Sequence, residues 1–434
     1  MALRLISALY RLADRLYRWA HGRFTAIGLG LLIAMAATSA TANPDQAMGL
    51  PAFFMLAAMV LLAMALAPFF RISFTVTREA PSLVTAGEVF PIRVRIHHHG
   101  KRAWRDLSYR EVLSEIPPPV GEMFRYGPNG NPARRRARSP SIDLPLLPAH
   151  GEIACEVTVK AFRRGPLRIA GGRLERCDPL GLFRAFCHCP SAHIVLVMPR
   201  RYPLPQLDLP GLARHQPVGT ALANGVGQAE EFIGLRDYRR GDPLKHVHWR
   251  SAARTGKLVV KEYQDEHLMR HGLILDSSCA AADDDRFEEA VAVAASFACT
   301  VPDQESLLDL LLVAGEARCL TAGRGLGEVQ GMLEVLAAVQ PRRSNHIDEL
   351  AALVVSHRAT LCSAVVVLLA WDAPRRALIQ RLKEQQLPTT VLLILAKGAS
   401  LPEDRGTVQE QPDRFVVLTS GAIAVGLQAL GARS

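Results

Sequence analysis

The hydrophobic period of this chain changes along its length, and each change restricts what the local segment can fold into. From Ile72 to about Pro199 apolar residues recur at every second position. Ile72, Phe74 and Val76 alternate with Ser73, Thr75 and Thr77; Ile92, Val94 and Ile96 with Arg93, Arg95 and His97; Cys155, Val157, Val159 and Ala161 with Glu156, Thr158 and Lys160. A period of two marks half-buried strands, and several of them separated by turn-rich segments predict an antiparallel β-sandwich over residues 72–200. From Leu268 onward apolar strands alternate with helices. Gly272–Asp276, Leu307–Ala314, Ala364–Ala370, Thr390–Ala396 and Phe415–Leu418 read as strands. Phe287–Cys299, Leu326–Val339, Ile347–His357, Pro374–Gln385 and Ala422–Leu430 read as helices. Continuous apolar strands between helices predict an α/β domain over 267–434, a doubly wound, mostly parallel sheet covered on both faces. Ligands of such sheets bind at the carboxyl ends of the strands, where Asp276 and Asp372 stand.

The N-terminus has a third pattern. Leu5, Leu9, Leu12, Leu16 and Trp19 share one side of a helical wheel, with Arg4, Arg11, Arg15 and Arg18 mostly on the other. Residues 1–23 are therefore expected to form an amphipathic interfacial helix. Phe24–Ala42 and Leu50–Phe70 follow as two apolar stretches without a charge, each close to the roughly 20 residues that cross a bilayer. Arg18 and Arg23 precede the first and Arg71 and Arg78 follow the second. These flanks predict a transmembrane helical hairpin over 24–71, in an inner (cytoplasmic) membrane, with both termini and the soluble domains cytoplasmic. Ala40-Thr41-Ala42 resembles a signal-peptidase site, but the long amphipathic segment before it and the second span after it favour an uncleaved hairpin.

Charge and cysteine content narrow the function classes. The net charge is +10, and residues 1–23 with the arginines at 125, 134, 135, 136 and 138 supply nearly all of it. A nucleic-acid binder spreads its basic residues over a folded face, so no nucleic-acid partner is expected. The loop carrying Arg125–Arg138 reads as solvated, with contact to anionic lipid as its alternative. Cys177, Cys187 and Cys189, near His188 and His193, contain only a CxC and read as buried thiols rather than a zinc site. The run His97-His98-His99 reads as a turn at a strand end.

Residues 201–229 are rich in Pro and Gly and read as a linker. The segment 230–266, EEFIGLRDYRRGDPLKHVHWRSAARTGKLVVKEYQDE, is the most polar stretch of the chain. Asp242-Pro243 reads as a helix start and Thr255-Gly256 as its stop, which predicts one helix of about three turns carrying His246, His248, Trp249, Arg250 and Arg254.

Glu231-Phe232, Arg236-Asp237-Tyr238, Gly241-Asp242, His248-Trp249 and Ser251-Ala-Ala-Arg254 form one set of signature residues. Arg164-Gly165-Pro166-Leu167 and Asp178-Pro179-Leu-Gly181-Leu-Phe183 form a second. Together they resemble the bacterial domain-of-unknown-function fifty-eight family over nearly the whole chain. The resemblance implies two membrane spans, a β domain, the signature segment and a von Willebrand factor A-like domain. It also implies neighbours of the family as partners, namely a MoxR-type AAA ATPase and a transglutaminase-like membrane protein in an assembly or chaperone system. In an A-type domain, Asp-x-Ser-x-Ser after the first strand, a Thr from a later loop and an Asp after the fourth strand hold a metal. Here Asp276 and Ser278 keep the start of that motif, Ala280 replaces its second Ser, Ser344 stands for the Thr, and Asp372 falls at the fourth strand. This set reads as a degenerate site, with Mg²⁺ as the alternative because water can replace a lost hydroxyl.

Three functions follow as expectations. The first is a membrane-anchored interaction or scaffold protein whose A-type domain docks a protein partner. In it Arg236, Asp242 and Arg254 form ion pairs, and Tyr238 and Trp249 pack between domains. The second is an enzyme acting on an anionic substrate, with His246 or His248 as general base and Asp237 or Asp242 orienting it. The chain has no Gly-x-Ser-x-Gly elbow, no phosphate-binding Gly-rich loop and no His-Glu-x-x-His pair, so no catalytic residue is assigned. The third is an Mg²⁺-dependent adhesion or sensor module.

Overall fold

A computed structural model describes residues 19–20, 22–41, 49–114, 136–205, 230–242, 244–265, 269–279, 284–301, 306–314, 316–323, 326–342, 346–399 and 414–431. The expected helix at 1–23, the arginine loop 125–138 and the linker 201–229 lie largely outside these residues. The chain divides into two compact units, Met1–Pro199 and Arg200–Ser434.

In the first unit the alternating segments become strands β1 (Phe74–Glu79), β2 (Leu83–Thr85), β3 (Val89–His98), β4 (Leu107–Leu113), β5 (Ala137–Arg138), β6 (Ile142–Leu144), β7 (Glu152–Ala161), β8 (Gly165–Cys177) and β9 (Arg184–Met198). They form two sheets, β1-β3-β7-β5 and β2-β9-β8-β4-β6. The inward residues of β3, Ile92, Val94 and Ile96, are fully buried and meet Val157 and Val159 of β7 and Tyr109, Ile169 and Leu174 of the second sheet in one core. The expectation of a purely antiparallel sandwich is corrected at its edge, where β2 pairs parallel with β9. His97 and His98 belong to β3 rather than to a turn. Their contacts are separate, since His98 Nδ1 lies 2.9 Å from Pro148 O and His97 pairs with Glu152. All eight cysteines are free, and Cys177 is exposed rather than buried.

The two apolar stretches form helices α1 (Ala26–Thr41) and α2 (Gly49–Leu66), of 16 and 18 residues. At 1.5 Å per residue they measure ~24 and ~27 Å, against ~30 Å of hydrocarbon in a bilayer. Among the described residues no helix is long and apolar enough to cross a membrane. This overturns the transmembrane hairpin and the inner-membrane placement drawn from it. The apolar runs are longer than the helices because their ends are used elsewhere. Phe24 bridges Phe183, Ala67–Phe69 form a 3₁₀ turn, and Phe70 joins the core of the β-rich unit. Ile27, Ile33, Phe54 and Leu61 of the two helices remain exposed.

The second signature builds the seat of α1. Asp178 accepts hydrogen bonds from the backbone N–H groups of Leu180 (2.9 Å), Leu182 (2.7 Å) and Phe183 (2.6 Å), which closes the loop around Gly181 in its left-handed conformation (φ 67°). The carbonyls of that loop then face the start of α1. Thr25 N–H donates to Leu182 O at 3.0 Å, and the Thr25 hydroxyl donates to Gly181 O at 2.6 Å. Gly28 is required by this approach, because a Cβ there would stand 2.2 Å from Leu182 O. Phe24, Leu182, Phe183, Val60 and Ala63 form a small core of their own, and Arg23 stacks on Phe183 and Phe186.

The second unit carries a two-stranded ribbon, β10 (Glu230–Asp237) with β11 (Val259–Asp265), and a six-stranded sheet. The sheet contains β12 (Met269–Leu275), β13 (Ser306–Ala314), β14 (Glu316–Ala322), β15 (Ser363–Leu368), β16 (Thr389–Leu395) and β17 (Phe415–Thr419), in the order β14-β13-β12-β15-β16-β17. Its helices are α3 (Trp249–Thr255, beside the ribbon), α4 (Asp284–Thr300), α5 (Leu326–Ala338), α6 (Ile347–His357), α7 (Ala373–Glu384) and α8 (Ile423–Gly431). Residues Ile274, Val366 and Val391 on one face of the sheet pack on α6 and α7. The sheet is mixed: the pairs β13-β12, β12-β15, β15-β16 and β16-β17 are parallel, and the expected doubly wound, mostly parallel sheet is corrected at one edge. β14 runs antiparallel to β13, because one residue separates them and a parallel return needs a crossover of a dozen or more.

The Asp178 seat gives the first prediction. Asp178→Ala leaves three backbone donors without their acceptor and is expected to lower stability by ~1–3 kcal/mol, read as a drop in the urea midpoint. An unchanged midpoint would mean that the loop holds its shape without the carboxylate.

Candidate functional site

Three of the residues expected to hold a metal, Asp276, Ser278 and Asp372, meet at the carboxyl ends of β12 and β15. Asp276 follows β12 directly and is fully buried. Its Oδ1 accepts from Ser278 N–H at 2.9 Å. Asp372 follows β15 and caps α7, accepting from Arg375 N–H at 3.2 Å. The sequence reading did not include the residue that joins them. Arg375, in the first turn of α7 and itself buried, donates through Nε to Asp276 Oδ2 at 2.7 Å. It also donates through Nη1 to Asp372 Oδ2 and through Nη2 to Ser278 O at 3.2 Å. Burial alone would lower the Arg375 pKa, but the hydrogen bond to Asp276 and the charges of Asp276 and Asp372 hold it above the ordinary arginine value.

Mg²⁺ requires hard oxygen ligands at ~2.1 Å in octahedral array. Here the facing oxygens of both carboxylates are engaged by a guanidinium. The Ser278 hydroxyl accepts from His346 N–H at 3.2 Å, and Ser277 donates to Val313 O at 2.7 Å. With Arg375 in place the donor set does not fit Mg²⁺. Ser344 and Ala280 lie outside the described residues. Among the described residues no group of three or more His, Cys, Asp or Glu side chains gathers in metal-binding geometry.

The signature segment forms a separate module. Glu231 and Phe232 lie in β10 opposite Gln264 and Tyr263, and their side chains fall outside the description. Arg236 grips Asp242 with two bonds, Nη1 to Oδ2 at 2.7 Å and Nη2 to Oδ1 at 2.8 Å, while Arg239 N–H adds a third at 2.8 Å. The Arg236 bond, then the Arg239 backbone bond, hold the Asp242 carboxyl down at about 2. Gly241 turns the chain at φ 114° between them. Asp237 pairs through its backbone with Val259, and Tyr238 N–H donates to Leu258 O at 3.0 Å.

The single helix expected across His246 and His248 is corrected. Leu244–His246 is a 3₁₀ turn, Val247 bridges Val260, and the α-helix starts only at Trp249. The ladder wins because His248 N–H donates to Val259 O at 2.8 Å, which holds the backbone extended at the point where a helix would run through. His248 Nδ1 lies 2.7 Å from Ser251 Oγ, a local contact across the first turn of α3. Asp242 is thus committed to Arg236, and His248 to Ser251. Trp249 is 61% exposed. Arg254 lies in the last turn of α3, where positive charge suits the helix dipole, and Gly256 stops it at φ 69°. In the second signature Arg164 is buried, Gly165 takes φ 105°, and Asp178, Pro179, Gly181 and Phe183 form the α1 seat.

Other buried polar groups also escaped the sequence reading. Arg270 Nε lies 3.0 Å from Asp309 Oδ2, with Thr321 donating to Asp309 at 2.7 Å. His271 Nδ1 meets Ser363 Oγ at 2.8 Å, and burial pushes the imidazole pKa down to about 4. In the first unit Arg78 and Tyr109 both donate to Glu111, at 2.8 and 2.9 Å, inside the core. Apart from Tyr109 and Glu111, both on β4, such partners come from separate strands, so only their charge inside apolar runs could have signalled them.

Residues 234–411 match the family model described as Protein of unknown function DUF58. No curated protein matches the chain. Similar solved structures include the CARDB domain of a Pyrococcus furiosus protein in complex with di-metal ions, 11% identical over 29% of this chain and 93% of that one, with a TM-score of 0.17. AvmM, which catalyzes macrocyclization in alchivemycin A biosynthesis, is 13% identical over 30% of this chain and 90% of its own, with a TM-score of 0.21. A GH20 exo-β-N-acetylglucosaminidase from Vibrio harveyi is 9% identical over 74% and 57%, at a TM-score of 0.16. Likenesses at these scores carry nothing over to this chain.

Two pH windows separate the buried histidine from the surface clasp. His271 is neutral when folded, with a pKa of about 4 against ~6.5 unfolded. Its contribution is complete above ~6.5 and is lost as pH falls toward 4, by up to ~3 kcal/mol. Asp242, held at about 2, contributes fully above ~4 and loses that contribution as pH falls to 2. Chemical denaturation across pH checks both: His271→Gln is expected to flatten the upper window and Asp242→Asn the lower one.

Proposed function

We propose that the chain is an interaction protein whose second unit is a von Willebrand factor A-like domain that docks a protein partner at the carboxyl ends of its strands. The observation that carries this reading is the meeting of Asp276, Ser278 and Asp372 between β12 and β15. In the order β14-β13-β12-β15-β16-β17 that is the point where the chain's winding reverses, and open α/β sheets bind there. The antiparallel edge strand β14 agrees with it. The partner favoured by the family resemblance is a MoxR-type AAA ATPase in an assembly or chaperone system, with a transglutaminase-like membrane protein as a second. The signature module then has a structural role, since Arg236 and Asp242 pair with each other and Arg239 N–H closes the turn on the same carboxylate. The enzyme reading finds less support, because both carboxylate oxygens of Asp242 are drawn onto Arg236 and His248 Nδ1 meets Ser251 rather than an aspartate.

Binding of the full chain to the MoxR-type ATPase of the same organism, followed by calorimetry, tests this reading. Asp348 and Glu349 are exposed in the first turn of α6, next to the His346–Ser278 contact. The pair Asp348→Arg with Glu349→Arg is expected to weaken binding about tenfold, or ~1.4 kcal/mol. Glu384→Lys, at the far end of α7, is expected to leave it unchanged. Absence of binding, or equal loss in both variants, would reject docking at this edge.

A further inference from the structure

The pair of carboxylates at the ends of β12 and β15 needs a cation. Asp276 has no exposed surface and sits in the interior of the unit, where an unpaired carboxylate is expensive. Arg375 supplies the charge from within the chain. Its side chain is 6% exposed, while that of Asp372 is 45% exposed. The guanidinium therefore lies on the inner side of the pair, and the outer face of Asp372 is the part that solvent reaches. Three of its N–H groups are used, one on each carboxylate and one on the Ser278 backbone carbonyl, so it engages both carboxylates that would have been metal ligands.

We propose that Arg375 is the resident cation of this site. The guanidinium stands where an A-type domain would hold a divalent ion, which makes the site independent of metal, and removing it uncovers a latent divalent-cation site formed by Asp276, Ser278 and Asp372. The inference rests on the A-type reading of this unit, but partner binding plays no part in its test, so the two fail separately. The chemistry is a replacement of charge. With the guanidinium gone, the two carboxylate oxygens it bridged, Asp276 Oδ2 and Asp372 Oδ2, lose their cation, and the Ser278 hydroxyl lies on the same loop as Asp276. Hard oxygen donors of that kind take Mg²⁺ or Mn²⁺, with water completing the shell. With the guanidinium present, the same ion would have to enter against a positive charge and break two charged hydrogen bonds.

Thermal unfolding of the full chain in millimolar Mg²⁺ or Mn²⁺, against NaCl of equal ionic strength and against a chelator, reads the outcome. The native chain is expected to keep one midpoint in all conditions. Arg375→Ala is expected to unfold several degrees lower and to recover at least half of that loss in Mn²⁺. The double variant Arg375→Ala with Asp276→Asn, which removes a buried charge and a ligand, is expected to ignore Mn²⁺. If Arg375→Ala folds only when Mn²⁺ is present during refolding, the inference stands by that route. Saturable Mn²⁺ binding by the native chain, read by electron paramagnetic resonance, would overturn it. So would an Arg375→Ala chain indifferent to Mn²⁺, whether folded or not.

Discussion

The second unit depends on a buried guanidinium lying between two carboxylates from different strand ends. Taking Asp276 and Arg375 out of water is costly, and their attraction repays that cost only when the geometry is good and the remaining donors find partners. Both conditions hold here. Nε and Nη1 reach separate carboxylates, Nη2 reaches a backbone carbonyl, and Asp276 Oδ1 is taken by Ser278 N–H. The interaction ties the loop after β12 to the first turn of α7, which fixes how the first and fourth strands of the fold present their ends. Breaking it from one side would leave a charge stranded in the interior, a much larger loss than the net worth of the pair.

Carboxylates organise the first unit and the signature module by the same physics on a smaller scale. Asp178 collects three backbone N–H groups, which shapes a loop whose own carbonyls then receive Thr25 and the close approach of Gly28. Asp242 collects a forked guanidinium and one backbone N–H, closing a turn between β10 and the 3₁₀ segment. In each case an acidic residue of a sequence signature is used up by local donors. Signature residues that satisfy one another in this way fix the local course of the backbone.

Periodicity made much of this fold legible, because strands and helices leave their imprint on single stretches of sequence. The alternation around Ile92–Ile96 and the apolar run at Leu273–Leu275 placed β3 and β12, and Asp276 and Asp372 fell at strand ends as expected. Features that depend on two distant segments were not legible. Arg375 sits three residues after Asp372, a spacing that hints at a helix-start pair, but its bond to Asp276 crosses 99 positions of sequence. β14 was missed because Glu316–Ala322 lacks a strong apolar pattern, and its burial confirms an edge strand with a mostly exposed face. The two apolar stretches near the N-terminus read as spans because composition records hydrophobicity but not what each end packs against. Phe24 and Phe70 belong to contacts with the β-rich unit, and the helices between them are shorter than the runs.

The signature module shows why a polar cluster is a weak guide to chemistry. Its histidines, arginines and aspartates are dense in sequence, yet density says nothing about pairing. A general base needs a second group to orient it and a free lone pair to receive a proton. Asp242, one of the two acids offered by the sequence, has both oxygens on Arg236, and its carboxyl is held near 2, so it stays ionised and occupied at any physiological pH. His248 turns its Nδ1 to Ser251 within the same helical turn. The Val247–Val260 bridge then sets His246 and His248 in different local structures, one in the 3₁₀ turn and one at the start of α3. A short ribbon that interrupts a helix has thereby placed the two histidines that the enzyme reading offered as alternatives in unlike settings.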